Sequence, residues 1–304
     1  MRLLRLLEGI RCPFFDYFFL FVTKFGEETI FMALAMIIFW CVSKKEGYYI
    51  LSVGFIGTLL NQFLKLTFRI PRPWVKDPSF TYVNGSVEAA TGYSFPSGHT
   101  QNSVGTFGGI AYGTKNKVIR ILSIVACVLI PFSRLYLGVH TPLDVFTSVV
   151  IALLLVFLIR PLINYCEKNE RAMYIFLGTM LVLSVAYVLY VELYSFPADI
   201  DLHNYQSGKK NAYTLLGALV GMLIAYPLEK KYVSFSCEGK WYTQLIKAVV
   251  GVLLVLGLKE LLKLPLNLFL PPDTIARAIR YALIVIFAVV IYPMSFKLIR
   301  RLEK

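Results

Sequence analysis

Nine separate stretches of this chain are apolar over 15 to 23 residues: 28–42, 47–69, 97–114, 118–133, 142–159, 173–193, 212–228, 242–263 and 275–296. A helix needs about 20 mostly apolar residues to cross the hydrocarbon of a bilayer, so these stretches predict transmembrane helices. Composition agrees. With 57% hydrophobic residues, 16% charged residues and a mean hydropathy of +0.66, the chain is not an ordinary soluble domain. The expected fold is all-α, a polytopic membrane bundle of about nine transmembrane helices. Ahead of them, residues 2–24 place Leu3, Leu4, Leu7, Ile10, Phe14 and Phe15 at helical spacing, with Arg2, Arg5, Glu8 and Arg11 between them. That pattern predicts an amino-terminal helix lying in the membrane interface, with a short tenth span as the competing reading. The apolar run FFDYFFLFV is broken by Asp16 and no small-residue cleavage site follows it, so no cleavable signal is expected.

The net charge of +13 raises the question of nucleic acid, but the placement of the charge answers it. Lys and Arg gather in short loops between apolar stretches, the positive-inside pattern that also suits anionic headgroups, and no basic stripe interleaved with aromatics stands outside them. Nucleic acid is therefore not an expected partner; membrane lipids are. The loops 43–46, 114–120, 160–171 and 229–240 and the tail 296–304 hold 15 of the 31 Lys and Arg residues, which assigns them to the cytoplasm. Arg2, Arg5 and Arg11 fit less well, because nine spans put the amino terminus outside. The five cysteines, Cys12, Cys41, Cys127, Cys166 and Cys237, are scattered without C-x-x-C spacing and predict neither a disulfide framework nor a metal site.

Against this apolar background stand three polar islands. Charged groups cost about 2.5–3.5 kcal/mol each at the centre of a membrane helix, so islands beside spans mark function. KLTFRIPRP (65–73) supplies Lys65 and Arg72, seven residues apart and thus two helical turns. FPSGH (95–99) supplies Ser97, Gly98 and His99. SRLYLGVHTPLD (133–144) supplies Ser133, Arg134, His140 and Asp144, and the last two stand four apart. The first two islands border one loop. The chain then crosses away through 97–114 and returns through 118–133, which brings the third island to the same face, outside the cell or in a lumen if the cell is eukaryotic.

Each island has a bland alternative. Lys65 and Arg72 can be a snorkelling pair that anchors a span. Pro96, Ser97 and Gly98 read as a helix start with free N–H groups, an anion site in the first turn of which His99 can donate a proton, or equally as a capped helix with an incidental histidine. His140 and Asp144 can be a structural pair. Alternatively the carboxylate fixes the imidazole tautomer and raises the nucleophilicity of its other nitrogen. A zinc site would need about three convergent ligands, and Lys65, Arg72 and Arg134 would repel a metal. Three cations on one face want an anion, and together the islands predict a phosphate site.

K-x6-R-P (Lys65 to Pro73), P-S-G-H (Pro96 to His99) and S-R-x5-H-x3-D (Ser133 to Asp144) resemble the three-part signature of the type 2 phosphatidic acid phosphatase superfamily, with every signature residue present and in order. The resemblance covers about residues 25–160. It implies metal-independent and cofactor-free hydrolysis of a phosphate ester through a phosphohistidine. His140 would be the nucleophile oriented by Asp144, and His99 the general acid. Lys65, Arg72, Ser97, Gly98 and Arg134 would form the phosphate cradle. The order of spans and islands is similar to the glucose-6-phosphatase and sphingosine-phosphate phosphatase branches.

The expected function is an integral membrane phosphatase. Its substrate would be a lipid phosphate or diphosphate at the outer leaflet: a prenyl diphosphate, phosphatidate, phosphatidylglycerophosphate or a sphingoid phosphate. A soluble sugar phosphate is the alternative substrate. An anion transporter is the alternative class, though a His–Asp pair beside a second His is superfluous for binding alone. The chain divides into a phosphatase core, 1–160, and further transmembrane helices, 161–304, whose outward loop carries Asp199, Asp201 and His203. The expected location is the plasma membrane, with the site facing outward.

Overall fold

The computed structural model describes residues 1–88 and 90–303; Ala89 and Lys304, the last cation of the basic tail, lie outside the described residues. It is helical throughout, with no strand among the described residues. In chain order the helices are α1 (Arg2–Gly9), α2 (Pro13–Lys24), α3 (Glu28–Cys41), α4 (Lys44–Phe68), α5 (Pro73–Lys76), α6 (Gly98–Gly113), α7 (Lys117–Tyr136), α8 (Pro142–Lys168), α9 (Glu170–Leu193), α10 (Leu202–Leu228), α11 (Trp241–Leu261), α12 (Lys263–Phe269), α13 (Ile275–Ile286), α14 (Tyr292–Met294) and α15 (Phe296–Ile299).

Six segments are long and apolar enough to cross a membrane: Lys44–Lys76, Lys117–Tyr136, Pro142–Lys168, Glu170–Leu193, Leu202–Val233 and Ile275–Glu303. The protein is a multi-pass membrane protein. The other three stretches expected to span are helices outside those six. α3 is apolar but has only 14 residues. α6 has 16, and it buries Thr100, Gln101, Ser103 and Thr106. A helix whose polar side chains face the protein interior carries little of the hydropathy that marks a lipid-facing one. α11 carries Lys247 inside its apolar run. The single interfacial helix expected over 2–24 is two helices. The chain leaves helical geometry at Cys12, which is extended (φ −150°, ψ 157°), and Pro13 restarts it because its fixed φ and missing N–H suit a first turn. Eight and 12 residues are each too short to cross.

The chain forms two compact units, neither continuous in sequence. The first comprises residues 1–32, 49–161 and 199–208; the second comprises 33–48, 162–198 and 209–304. In the first, Phe19, Val83, Tyr136, Leu137 and Val139 form a buried cluster, and Tyr49 donates its hydroxyl to the Val156 carbonyl at 2.8 Å. The amino-terminal helices dock here through polar contacts. Arg5 pairs with Asp77 (2.6 Å), Arg11 Nε donates to the Tyr136 carbonyl (3.1 Å), and Tyr136 donates its hydroxyl to Asp16 (2.8 Å). In the second unit Trp40 is fully buried, donates Nε1–H to the Ala288 carbonyl (2.8 Å) and meets the Tyr292 ring edge-on at 5.0 Å. The outer face of α7 leaves Ile121, Leu122 and Val128 more than 60% exposed, as a helix side in contact with lipid does.

Candidate active site

α4 stops at Phe68, and Arg69 follows in the left-handed region (φ 49°), which turns the chain toward Arg72. Arg72 therefore stands beyond the helix, as the residue preceding α5, and not two helical turns along it from Lys65 as the spacing predicts. The two cations still converge, because both bind the same loop. Lys65 Nζ donates to the Tyr93 carbonyl. Arg72 donates Nε–H and Nη2–H to the Gly92 carbonyl (3.2 and 3.1 Å) and Nη2–H to the Thr91 carbonyl (2.9 Å). Gly92 has φ +72°, a backbone state that L side chains adopt at a cost, and it sets these carbonyls at the mouth of the guanidinium. Both side chains are buried, at 4% and 6% exposure.

α7 ends at Tyr136, and Gly138 (φ +79°) reverses the chain so that His140 lies in the turn before α8. Arg72 Nη1 lies 2.9 Å from His140 Nε2. Nη1 also lies 3.4 Å from Nδ1; a guanidinium can only donate, so the shorter contact suits the tautomer in which Nε2 accepts and Nδ1 carries the proton. Nδ1 lies 3.5 Å from Asp144 Oδ2, in ion-pair range rather than hydrogen-bonded. That carboxylate oxygen is already engaged: it accepts from the Thr141 N–H (2.7 Å) and the Ser94 hydroxyl (2.6 Å). Thr141 Oγ1 in turn accepts from the Asp144 N–H (3.3 Å), so TPLD is a capping box that starts α8. The ring also bonds the Ser94 main chain. Asp144 thus stands beside His140, as the four-residue spacing leads one to expect, and Ser94, fully buried, adds a second support. Burial holds His140 well below the ordinary histidine range, and the charges of Arg72, Arg134 and Lys65 add to this, against the Ser94 bond.

Ser97 begins α6, and its hydroxyl oxygen accepts from the Thr100 N–H (3.4 Å) and Thr100 Oγ1 (3.0 Å). The Ser97 main-chain N–H is not free, as the sequence suggests, but donates to the Asp144 carbonyl at 3.2 Å. That bond ties the start of α6 to the start of α8 and leaves Gly98 and His99 to supply first-turn N–H groups. His99 Nε2 has no partner among the described residues. Arg134 is fully buried. Its Nη1 donates to Thr23 Oγ1 on α2 at 2.7 Å, while Nε and Nη2 have no partner among the described residues. A buried guanidinium with open donors is costly unless something accepts from them, and an oxyanion accepts best. Ser133, also buried, bonds back to the Ile130 carbonyl (2.6 Å). No cluster of three His, Cys, Asp or Glu suited to a metal occurs among the described residues.

Thr23 and Ser94 are site residues that the motifs did not mark. Ser94 stands two positions before the Pro-Ser-Gly-His run, where a serine is unremarkable. Thr23 ends an aromatic helix far from every island, and nothing in its neighbours announces a partner 111 residues away.

Residues 213–304 match the PAP2 superfamily phosphatase transmembrane extension, and residues 46–168 match the PAP2 superfamily itself. The chain is 30% identical over 177 residues to phosphatidylglycerophosphatase B of Bacillus subtilis, covering 53% of this chain and 80% of that protein. The chain belongs to the PAP2 superfamily. It is also similar to two further members. Undecaprenyl-diphosphatase BcrC of Bacillus subtilis is 29% identical over 168 residues, covering 52% of this chain and 83% of that one. A probable sphingosine-1-phosphate phosphatase of Dictyostelium discoideum is 31% identical over 160 residues, covering 48% of this chain but only 38% of its relative's length. No solved structure matches the chain. The superfamily match at 46–168 contains all eight expected site residues, from Lys65 to Asp144.

Proposed function

We propose that the chain is an integral membrane phosphatase that hydrolyses a lipid phosphomonoester or diphosphate through a phosphohistidine on His140, with no metal. The observation that carries this reading is the Arg72–His140 contact of 2.9 Å, which leaves the Nε2 lone pair aimed at the cation that would hold phosphate. Phosphate oxygens would take over the guanidinium donors and expose Nε2 to phosphorus. Lys65, Arg72 and Arg134 neutralise the oxygens, and Ser97 with the Gly98 and His99 N–H groups completes the cradle. His140 Nε2 then bonds to phosphorus as the bond to the alcohol or phosphate oxygen breaks, and His99 gives that departing oxygen a proton. In the second step water attacks the phosphohistidine, the P–N bond breaks, His99 takes the water's proton, and orthophosphate leaves. Ser94 and Asp144 hold the Nδ1–H side of His140 throughout.

Lipid is favoured over soluble ester because Lys65 and Arg134 lie in the last turns of the apolar helices α4 and α7, where a headgroup sits, and because the named relatives act on lipid phosphates. The substrate class takes in prenyl diphosphates, phosphatidate, phosphatidylglycerophosphate and sphingoid phosphates. The proposed topology has nine crossings, with 161–304 as additional transmembrane helices around the core and the site facing outward at the plasma membrane. The test is phosphate release by the purified protein from that panel and from glucose 6-phosphate, with excess EDTA. The reading predicts release from at least one lipid and no loss with EDTA. Release from glucose 6-phosphate alone, or turnover lost with EDTA and restored by zinc or magnesium, would overturn it.

A further inference from the structure

A second basic site lies in the second unit and has no part in the phosphatase reading. There α10 runs into a π-helical turn, Glu229–Val233, and Ser234 follows in the left-handed region (φ 40°, ψ 46°) with its N–H on the Glu229 carbonyl at 2.8 Å. A second π turn, Phe287–Ile291, precedes α14. Turns of this kind widen a helix and recur at functional sites. Between the chain after the first and the helices after the second opens a cavity of about 190 Å³. Its polar lining is Ser234, Ser236, Lys297 and Arg300, and its apolar lining includes Met294 and Phe296.

The cations are only partly neutralised. Arg300 feels the charge of Glu303, and among the described residues it hydrogen-bonds through Nη2 alone, to Ser236 Oγ (3.1 Å) and the Glu238 carbonyl (3.4 Å). Its carboxylate partner, Glu238, is 3.8 Å away with a side chain 90% exposed, so that pair is weak. Lys297 has no carboxylate partner among the described residues. Lys230, Lys231, Lys240 and Arg301 belong to the same two segments, which the basic-loop pattern assigns to the cytoplasmic side. Cations and hydroxyls beside apolar side chains, at a membrane surface, match one chemistry: a phosphate with acyl chains attached. We propose that this cavity binds the phosphate headgroup of an anionic phospholipid of the cytoplasmic leaflet, held by Lys297, Arg300 and Ser236 with its chains along Met294. The hydroxyl and cation set would serve free phosphate as well; the apolar lining favours the lipid.

The test needs no phosphatase activity, so it fails or succeeds apart from the function proposed above. The full chain is reconstituted in phosphatidylcholine vesicles with one-tenth phosphatidylglycerol, extracted in mild detergent, and its retained lipid is read by native mass spectrometry. Wild type should retain phosphatidylglycerol at about fivefold its share of the vesicle. A Lys297→Gln, Arg300→Gln double variant should lose that enrichment and return to within twofold of the vesicle's share, whereas Arg301→Gln, a cation removed outside the cavity, should alter it less than twofold. Size-exclusion elution checks that each variant is folded. Should the double variant fail that check, Lys297→Gln alone on an exposed side chain takes its place, with the same direction expected. No enrichment in wild type, or equal loss in Arg301→Gln, would overturn the proposal. A parallel arm titrates inorganic phosphate alone. Phosphate that binds wild type at millimolar concentration and displaces no lipid would make this a free-anion site and overturn the lipid assignment.

Discussion

Asp144 serves the start of α8 and the support of His140 with one oxygen, and Ser94 is what lets it do both. Removing the Ser94 hydroxyl should loosen the nucleophile without touching phosphate. Ser94→Ala is expected to lower kcat about ten- to hundredfold, the worth of a hydrogen bond to a charged group, with KM changed less than threefold. A steady-state comparison checks this, and an unchanged kcat would remove Ser94 from the account. His140 also makes the fold sensitive to acid. Its pKa is depressed in the folded state, so the unfolded chain takes up a proton near pH 6.5 that the folded chain refuses. The stability it contributes is therefore complete above that pH and is lost as pH falls, by up to about 1.4 kcal/mol per pH unit. His140→Gln cannot titrate. The melting-temperature difference between variant and wild type should move in the variant's favour between pH 7.5 and 5.0, and a constant difference would contradict the depressed pKa. The charged residues that the structure gathers at the candidate site stood out in the sequence because each sits where apolar residues are the rule. The bond pattern among them was not, since Ser94 and the Ser97 N–H reach Asp144 across about 50 residues.

At the scale of elements, the site is three helix ends brought together: the end of α4, the start of α6, and the turn between α7 and α8. The order of apolar stretches and polar islands led one to expect that meeting, and the Ser97–Asp144 and Arg72–His140 contacts bring the three ends together. What it missed is α2. Its aromatic pattern reads as an interfacial helix, yet its last turn gives the Arg134 guanidinium its one hydrogen bond among the described residues, from Nη1 to Thr23. Thr23→Val keeps the shape of that side chain and deletes the acceptor. It should cost about 1–3 kcal/mol of stability by orphaning a third donor on a buried cation. It should also raise KM severalfold, since the guanidinium loses its anchor. Thermal melting and KM on one substrate check both. A variant that matches wild type in both would reduce α2 to a membrane anchor. α6 fell short of a span by hydropathy for a related reason: Thr100, Gln101, Ser103 and Thr106 are buried against the protein, so the helix that carries Ser97 and His99 is the least lipid-like of the long helices around the site.

For the whole molecule, the proposed topology puts the basic loops and the three islands on opposite sides of the membrane. With the native cysteines replaced, Asn84→Cys should react with an impermeant thiol reagent in intact cells and Lys168→Cys only after permeabilisation; both positions are exposed. The reverse pattern would turn the site to the cytoplasm. The central claim, a covalent phosphohistidine on His140 with His99 as proton donor, is tested most directly by acid-quenched trapping of labelled phosphoenzyme, with turnover measured on a poor and a good leaving group. His140→Ala removes the attacking atom, so it should trap no label and turn over neither substrate. His99→Ala should lose most activity on the poor leaving group and recover part of the lost rate, about 10²–10⁴-fold in such cases, on a p-nitrophenyl phosphate-type substrate whose oxygen leaves unaided. Label retained by His140→Ala, or equal rescue of both variants by the good leaving group, would contradict the account.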